Sequence, residues 1–299
     1  MAGASSVLVG PFQVPIHPDG SWVPFGQGSS GIVTRAQDSR TGGVVALKII
    51  PVSLPDDKKA FVVGQLQELY SSRHPSVVDY YGADYFEEKS CIIIALEFMD
   101  LASFKDMRNR FGPIPESVLG FACGKILEGL LYLHKERRII HRDIKPSNLL
   151  ISSSGQVKIS DFGMSTQLVN TLDPARTWVG STTYMSPERI SGLQYIWNSD
   201  IWSLGIAVVE LATGAFPYVS AQPGGRLELT ELLDKIVDED APALNPAQFS
   251  PDFCGFVHLA LKKRMEERPQ ADVLLGHPFV ARYASPEVVG AWLQSLPAS

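Results

Sequence analysis

Cysteine is scarce in this 299-residue chain: Cys91, Cys123 and Cys254 are odd in number, widely separated, and show no Cys-x-x-Cys or Cys/His ligand spacing. A disulfide framework and a structural zinc site are therefore excluded, and a reducing compartment fits. Long hydrophobic runs are missing too. The longest, Cys91 to Leu96, holds six residues, whereas roughly 20 are needed to cross a bilayer. No Lys or Arg precedes Arg35, so the amino terminus lacks the cationic flank of a secretory signal and the arginines of a transit peptide. It begins Met-Ala-Gly rather than Met-Gly, which removes the myristoylation signal. No block of five like charges occurs, and 26 Lys plus Arg against 32 Asp plus Glu give a net charge of -6. A nucleic-acid partner and membrane insertion are not expected. The cytoplasm is the expected compartment, with the nucleus also open.

What is present suits an ordinary folded core: 45% of the residues are hydrophobic. Residues 1–20 carry Pro11, Pro15 and Pro18 among Gly and Ser, which predicts a flexible leader. From Trp22 to Ile50 the pattern is strand-like, broken by a glycine cluster and a Thr41-Gly42-Gly43 turn. A helix follows near Lys58 to Ser71, then strands around Val77 to Tyr81 and Cys91 to Leu96. After about Met99 the pattern is mostly helical. Ser117 to Lys135 is the clearest case, with Ser117 as its cap and Leu119, Ala122, Cys123, Ile126, Leu127, Leu130 and Leu133 in one stripe. Further helices are predicted at Ser199 to Thr213, Leu227 to Val237 and Asp252 to Lys262. A sheet-rich lobe thus precedes a larger helical one.

Gly26-Gln27-Gly28-Ser29-Ser30-Gly31-Ile32-Val33 has the spacing G-x-G-x-x-G-x-V, whose backbone can approach phosphate oxygens closely. Alone it is weak evidence, since a hairpin turn explains it as well. A Rossmann site is excluded because strand signals, not a helix, follow the glycines. Lys48 ends the run Val45-Ala46-Leu47-Lys48, one long cation on an apolar strand that could reach phosphates under the glycine loop. The plainer alternative is a surface lysine. His141-Arg142-Asp143-Ile144-Lys145-Pro146-Ser147-Asn148 is far more specific. Five fixed residues at roughly 5% each recur by chance in about one such chain in ten thousand. Asp161-Phe162-Gly163 then follows a strand, hairpin and strand pattern over Leu149–Ile151 and Val157–Ile159.

With these motifs the chain resembles the protein kinases over about residues 21 to 283. The resemblance implies an α+β, bilobal fold. A small five-stranded antiparallel lobe with one helix would span residues 21–98, a larger mainly helical lobe 99–283, and a helical tail 284–299. It implies ATP and Mg²⁺ as cofactors. By the family's pattern Asp143 is the base for the substrate hydroxyl, Lys145 steadies the transferring group, and Asn148 with Asp161 holds Mg²⁺. Lys48 would pair the α- and β-phosphates beneath the Gly26–Gly31 loop, including Gln27, Gly28, Ser29 and Ser30. Val33 and Ala46 would enclose the adenine, with Leu96 guarding the pocket and the hinge at Glu97 and Met99 binding the adenine edge. Glu188 and Arg268 are similar to the family's structural acid–arginine pair, and Asp200 to the helix-start acid that organises the catalytic loop.

The closest look is to MAP kinase kinases, through Leu96-Glu97-Phe98-Met99-Asp100, Asp161-Phe162-Gly163-Met164-Ser165 and Tyr184-Met185-Ser186-Pro187-Glu188-Arg189. That resemblance implies a dual-specificity kinase acting on Thr and Tyr of a MAP kinase. Thr171 and Thr177, in a T-x5-T arrangement similar to plant-type members, would be the sites an upstream MAP kinase kinase kinase phosphorylates, with Arg142 as receiver. Two alternatives stay open: another serine/threonine kinase of the same cascades, or a pseudokinase scaffold. The scaffold reading rests on Gln65, which counting back from His74-Pro75 puts where the family has the glutamate that pairs the strand lysine; Glu68 would fit only with a shorter loop. The same count puts Leu69 at an apolar spine position. Ser181 replaces the usual threonine of the substrate-facing loop, and residues 1 to 34 offer no basic docking segment. Ser285-Pro286-Glu287 starts an apolar-striped helix that either packs on the large lobe or docks a partner.

Overall fold

The structure is a computed structural model that describes residues 5–28, 31–70, 73–162, 182–218 and 228–297. Its first lobe is a seven-stranded antiparallel sheet. The strands are β1 (Ser5–Val9), β2 (Phe12–Ile16), β3 (Gly26–Gly28), β4 (Gly31–Asp38), β5 (Val44–Pro51), β6 (Tyr80–Phe86) and β7 (Cys91–Glu97). Their order is β1-β2-β4-β5-β7-β6, with β3 also pairing β4.

The five strands expected over residues 21–98 are β3 to β7, and two more, β1 and β2, come from the leader, which was expected to be flexible. β1 and β2 form a hairpin that joins the sheet through Phe12↔Asp38 and Gln13↔Gln37. Val9, Phe12 and Val14 are buried with Ala36, Leu47 and Ile93. The alternation of apolar and polar residues from Phe12 to Val14 outweighs the prolines, since Pro15 sits near the strand end and Pro11 in the turn. The strand expected from Val77 starts instead at Tyr80; Val77 makes one parallel bridge to Ile159 of the second lobe.

Helix α1 (Asp56–Tyr70) lies between β5 and β6 and buries Val62, Leu66 and Tyr70, an i, i+4, i+8 face. The larger lobe contains α2 (Phe104–Phe111), α3 (Glu116–Leu131), β8 (Leu149–Ile151), β9 (Val157–Ile159), α4 (Pro187–Ile190), α5 (Asn198–Thr213), α6 (Leu229–Asp238), α7 (Pro251–Ala260), α8 (Ala271–Leu275), α9 (Pro278–Arg282) and α10 (Glu287–Ser295). Ser117 does not cap α3. Pro115 takes the cap position, and the Glu116 carboxylate instead accepts the Ser250 backbone and hydroxyl.

α5 is buried along nearly its whole length, as its all-round apolar composition requires. It is the axis on which the second lobe is built, with Trp202 fully buried at its centre. In α10, Val289 is fully buried and Val288, Trp292, Leu293 and Leu296 pack on the large-lobe core, so this helix covers its own domain. Among the described residues no helix is long and apolar enough to cross a membrane.

Candidate active site

The roof of the cleft is the β3–β4 hairpin. Gly28 and Gly31 pair across it, with Ser29 and Ser30, which lie outside the described residues, between them. Gly31 has φ +151°, and a Cβ there would come within 2.2 Å of the Ile49 carbonyl oxygen, so only glycine fits between the hairpin and β5. β5 carries Ala46 opposite Leu96, and Lys48 opposite Val33. Val33, Ala46, Leu96, Met99 and Leu150 belong to one apolar cluster, which draws on both lobes. Glu97 closes its rear edge: its backbone N–H donates to Asp79, and its carboxylate pairs with Lys158 of β9 at 2.7 Å.

The floor is set by Asp200, at the start of α5. This fully buried carboxylate accepts the His141 N–H at Oδ2 and the Arg142 N–H at Oδ1, each at 2.8 Å, and His134 Nε2 at 2.8 Å. Burial alone would raise its pKa, but the hydrogen bond and charge of His134, with His141 and the backbone donors, hold it below the ordinary carboxylate value. Burial lowers the pKa of His141, whose Nε2 lies 2.9 Å from the Ser160 carbonyl and whose Nδ1 accepts the Asp143 N–H at 3.2 Å. The loop from His141 to Asn148 is thereby fixed at both faces.

On that loop Lys145 Nζ lies 2.8 Å from Asp143 Oδ2. Asn148 Nδ2 donates to the Asp143 carbonyl at 2.7 Å and to its Oδ2 at 2.9 Å. Asp143 Oδ2 is thus doubly held, whereas Oδ1 has no such side-chain partner among the described residues. Asp161, in the left-handed region at φ +64°, accepts from buried Lys48 at 2.6 Å. Burial pushes the Asp161 carboxyl up, yet Lys48, followed by Lys145 and His141, outweighs it and keeps the group below its ordinary value. The predicted residues Lys48, Asp143, Lys145, Asn148 and Asp161 are therefore brought together at one interlobe cleft. Thr171, Thr177, Gly163 and Ser181 lie outside the described residues.

Two expectations need correction. Lys48 pairs with Asp161; Gln65 is half-buried and Glu68 exposed, so α1 supplies no described carboxylate to it. Nor does Leu69 occupy the spine position. Tyr70 does: its ring stacks on Tyr80 at 5.5 Å and meets Phe162 at 4.9 Å, with His141 6.5 Å beyond. Leu69 sits one residue, about 100° of helix, off the buried face. The Glu188–Arg268 pair is present and bidentate, at 2.8 and 3.1 Å, with Ser199 also donating to Glu188.

Asn148 and Asp161 offer oxygen donors, and because Asn148 uses its amide nitrogen on Asp143, its Oδ1 remains for a cation. Among the described residues no group of three or more His, Cys, Asp or Glu forms a self-contained metal cage. Such a donor set fits Mg²⁺, which keeps waters and takes phosphate oxygens alongside one or two protein ligands.

A family profile described as a protein kinase domain matches residues 23–280. The chain is 44% identical over 260 residues to "Mitogen-activated protein kinase kinase SIPKK" of Nicotiana tabacum, covering 87% of this chain and 72% of that protein. It is 43% identical over 260 residues to mitogen-activated protein kinase kinase 2 of Arabidopsis thaliana, with coverage of 87% and 71%. Against "Dual specificity mitogen-activated protein kinase kinase dSOR1" of Drosophila melanogaster identity is 38% over 290 residues, covering 90% and 72%. The chain belongs to the MAP kinase kinases. As a protein kinase it uses ATP and a divalent metal.

In this MAP kinase kinase several partners escaped sequence reasoning. The Glu97–Lys158 pair crosses the lobes between residues 61 positions apart, and nothing local announces it. Arg142 and Arg189 both lie over the Tyr195 ring, at 5.5 and 5.4 Å, while Arg189 donates to the Arg142 carbonyl at 3.0 Å.

Proposed function

We infer that this protein transfers the terminal phosphoryl group of Mg·ATP to Thr and Tyr hydroxyls in the activation loop of a MAP kinase. It is switched on when an upstream MAP kinase kinase kinase phosphorylates Thr171 and Thr177. The observation that carries this reading is the joint placement of Asp143, Lys145 and Asn148 against the Lys48–Asp161 pair, in a chain whose relatives are named MAP kinase kinases.

ATP with its magnesium supplies the phosphoryl group and the cation that shields its charge. Asp143 takes the proton of the substrate hydroxyl at Oδ1, the oxygen that Lys145 and Asn148 leave open. Lys145, buried beside it, lends positive charge where negative charge spreads during transfer. Lys48 holds the α- and β-phosphates, and the segment of Gly26, Gln27, Gly28, Ser29, Ser30 and Gly31 is the one that binds them through backbone N–H groups. Asn148 and Asp161 hold the metal. Val33 and Ala46 enclose the adenine, and the Glu97 and Met99 backbone binds its edge. Arg142 receives the activating phosphate, which adds about -1.5 to -2 charge.

The test is magnesium-dependent incorporation of phosphate into a kinase-dead MAP kinase. Wild type is expected to label it, and Asp143→Asn to lower turnover by about 10²–10⁴-fold. Equal labelling by the two proteins would refute the assignment.

A further inference from the structure

The two legs of the nucleotide roof are held unequally. The second leg, β4, pairs with β5 from Ile32 to Gln37, whereas the first leg, β3, pairs with β4 over Gly26–Gly28. Just before β3 the Phe25 N–H still reaches the Val33 carbonyl at 2.8 Å, but Pro24 has no N–H to offer, and the chain leaves the edge of β4 there. Strand β2 takes over that edge. It pairs with β4 at Phe12↔Asp38 and Gln13↔Gln37, and the Pro11 carbonyl accepts both the N–H and the hydroxyl of Ser39, at 2.9 and 2.7 Å. Its other end holds the chain that enters β3: Ile16 bridges to Trp22, and the Pro15 carbonyl accepts the Val23 N–H at 3.4 Å. One strand thus clasps both legs of the glycine hairpin.

Further contacts gauge the span between the legs. The fully buried Thr34 hydroxyl on β4 donates to the Val23 carbonyl at 2.7 Å. Phe25 on the first leg and Arg35 on the second both rest on the ring of Phe98, beside Glu97, at 4.9 and 5.7 Å. Trp22 is pinned by Lys89, whose ammonium lies 4.1 Å over its ring, and by Phe86 at 6.2 Å. Where the legs part, a cavity of about 580 Å³ opens between Pro15, Pro24, Phe25, Arg35 and Val44, which gives the first leg room to shift once the clasp is released. The clasp itself is anchored, because Val9, Phe12 and Val14 are buried with Leu47 and Ile93.

We propose that β2 is a positioning strand for the nucleotide: by tying the entry of β3 to the far end of β4, it sets where Gly26, Gln27 and Gly28 stand over the phosphate site. The leader then belongs to the ATP-binding machinery. The proposal rests on the kinase reading above, and it concerns ATP alone, since β2 is a strand of the first-lobe sheet.

The experiment compares wild type, Gln13→Pro, Thr34→Val and the control Leu8→Ser in the full chain. Gln13 lies two residues from Pro15 and faces the same edge of β2, toward the roof and away from β1. Gln13→Pro therefore removes an N–H from the clasp and leaves the β1–β2 ladder its backbone bonds. Thr34→Val nearly keeps the side chain's shape and breaks the link between the legs. Leu8 is exposed on the far strand. Without nucleotide, hydrogen exchange at residues 22–28 is expected to quicken about fivefold or more in Gln13→Pro and Thr34→Val, and to stay within twofold at residues 44–51 and 91–97. KM for ATP is expected to rise by a similar factor, while kcat at saturating ATP and KM for the protein substrate stay within twofold. Leu8→Ser should match wild type in every reading. The proposal is overturned if residues 22–28 exchange at the wild-type rate in either variant, if exchange quickens equally along the whole first lobe, if KM for ATP is unchanged, or if ATP and protein parameters worsen by one common factor. Wild type is first tested for binding of Mg·ATP. Failure there refutes the kinase reading, and the exchange comparison alone then decides the proposal.

Discussion

Tyr70 and Tyr80 stack within the first lobe, and both hydroxyls are buried with no hydrogen-bond partner among the described residues. A buried hydroxyl stripped of water and left unbonded costs about 1–3 kcal/mol. Tyr70→Phe removes that cost at one position while keeping the ring between Tyr80 and Phe162. The expected result is a more stable protein, by about 1–2 kcal/mol, with a melting temperature raised by roughly 2–4 °C for a chain of this size. Tyr70→Leu is the contrast. It forfeits two aromatic contacts at about 0.5–1.5 kcal/mol each and leaves a cavity, for a total loss of about 2–4 kcal/mol. Because Phe162 adjoins Asp161, the proposed metal ligand, that loss should also loosen its carboxylate and raise the magnesium concentration needed for half-maximal activity. Urea unfolding monitored by circular dichroism measures the first change, and a magnesium titration of phosphoryl transfer measures the second. Destabilisation by Tyr70→Phe of more than about 1 kcal/mol would mean that the hydroxyl is bonded in solution, and the reasoning would be refuted.

Other perturbations have equally definite outcomes. Glu188→Gln strips one partner from the buried Arg268 ion pair, which should cost about 3–5 kcal/mol at neutral pH. The sign of its pH dependence follows from Glu188 titrating below the ordinary 4.5 when folded, since Arg268 and Ser199 outweigh the upward push of burial. The pair's stabilisation is complete above that value and is lost as pH falls through the folded one, so the deficit of Glu188→Gln should shrink in acid; a deficit that grows there would contradict the assignment. Gly31→Ala drives a methyl against the Ile49 carbonyl oxygen, 2.2 Å away. It should cost about 1–3 kcal/mol and raise KM for ATP more than KM for the protein substrate, as steady-state kinetics with each varied would reveal.

Much of this architecture is legible because its signals are local. The Leu149–Ile151 and Val157–Ile159 strands appear where the sequence predicts them, since a four-residue polar stretch ending in Gly155 dictates the hairpin between them. The His141–Asn148 segment and Asp161 likewise announce their chemistry by spacing. What stayed hidden depends on distant partners. The hairpin at Ser5–Ile16 is stable only because β4 offers an open edge and Leu47 and Ile93 a surface to bury against. Composition, weighted by proline, could not register that. The choice of Tyr70 over Leu69 turns on the rotation of α1 about its axis, which is set by Ile92, Ile94 and Phe162 packing against it. Counting residues back from His74 fixes position along the helix but not its facing. Tyr184, Glu210 and Arg108 come from three separate elements, so their meeting is a property of the packed lobe alone.

The central claim is that two lobes hold Mg·ATP so that its terminal phosphoryl group passes to a MAP kinase hydroxyl whose proton Asp143 accepts. Mass-spectrometric mapping of phosphate on a kinase-dead MAP kinase, after incubation with this protein carrying phosphate on Thr171 and Thr177, tests it most directly. The account predicts magnesium-dependent modification of both the Thr and the Tyr of the activation loop, absent with Asp143→Asn. Phosphate found elsewhere, on neither residue, or undiminished with Asp143→Asn would contradict it.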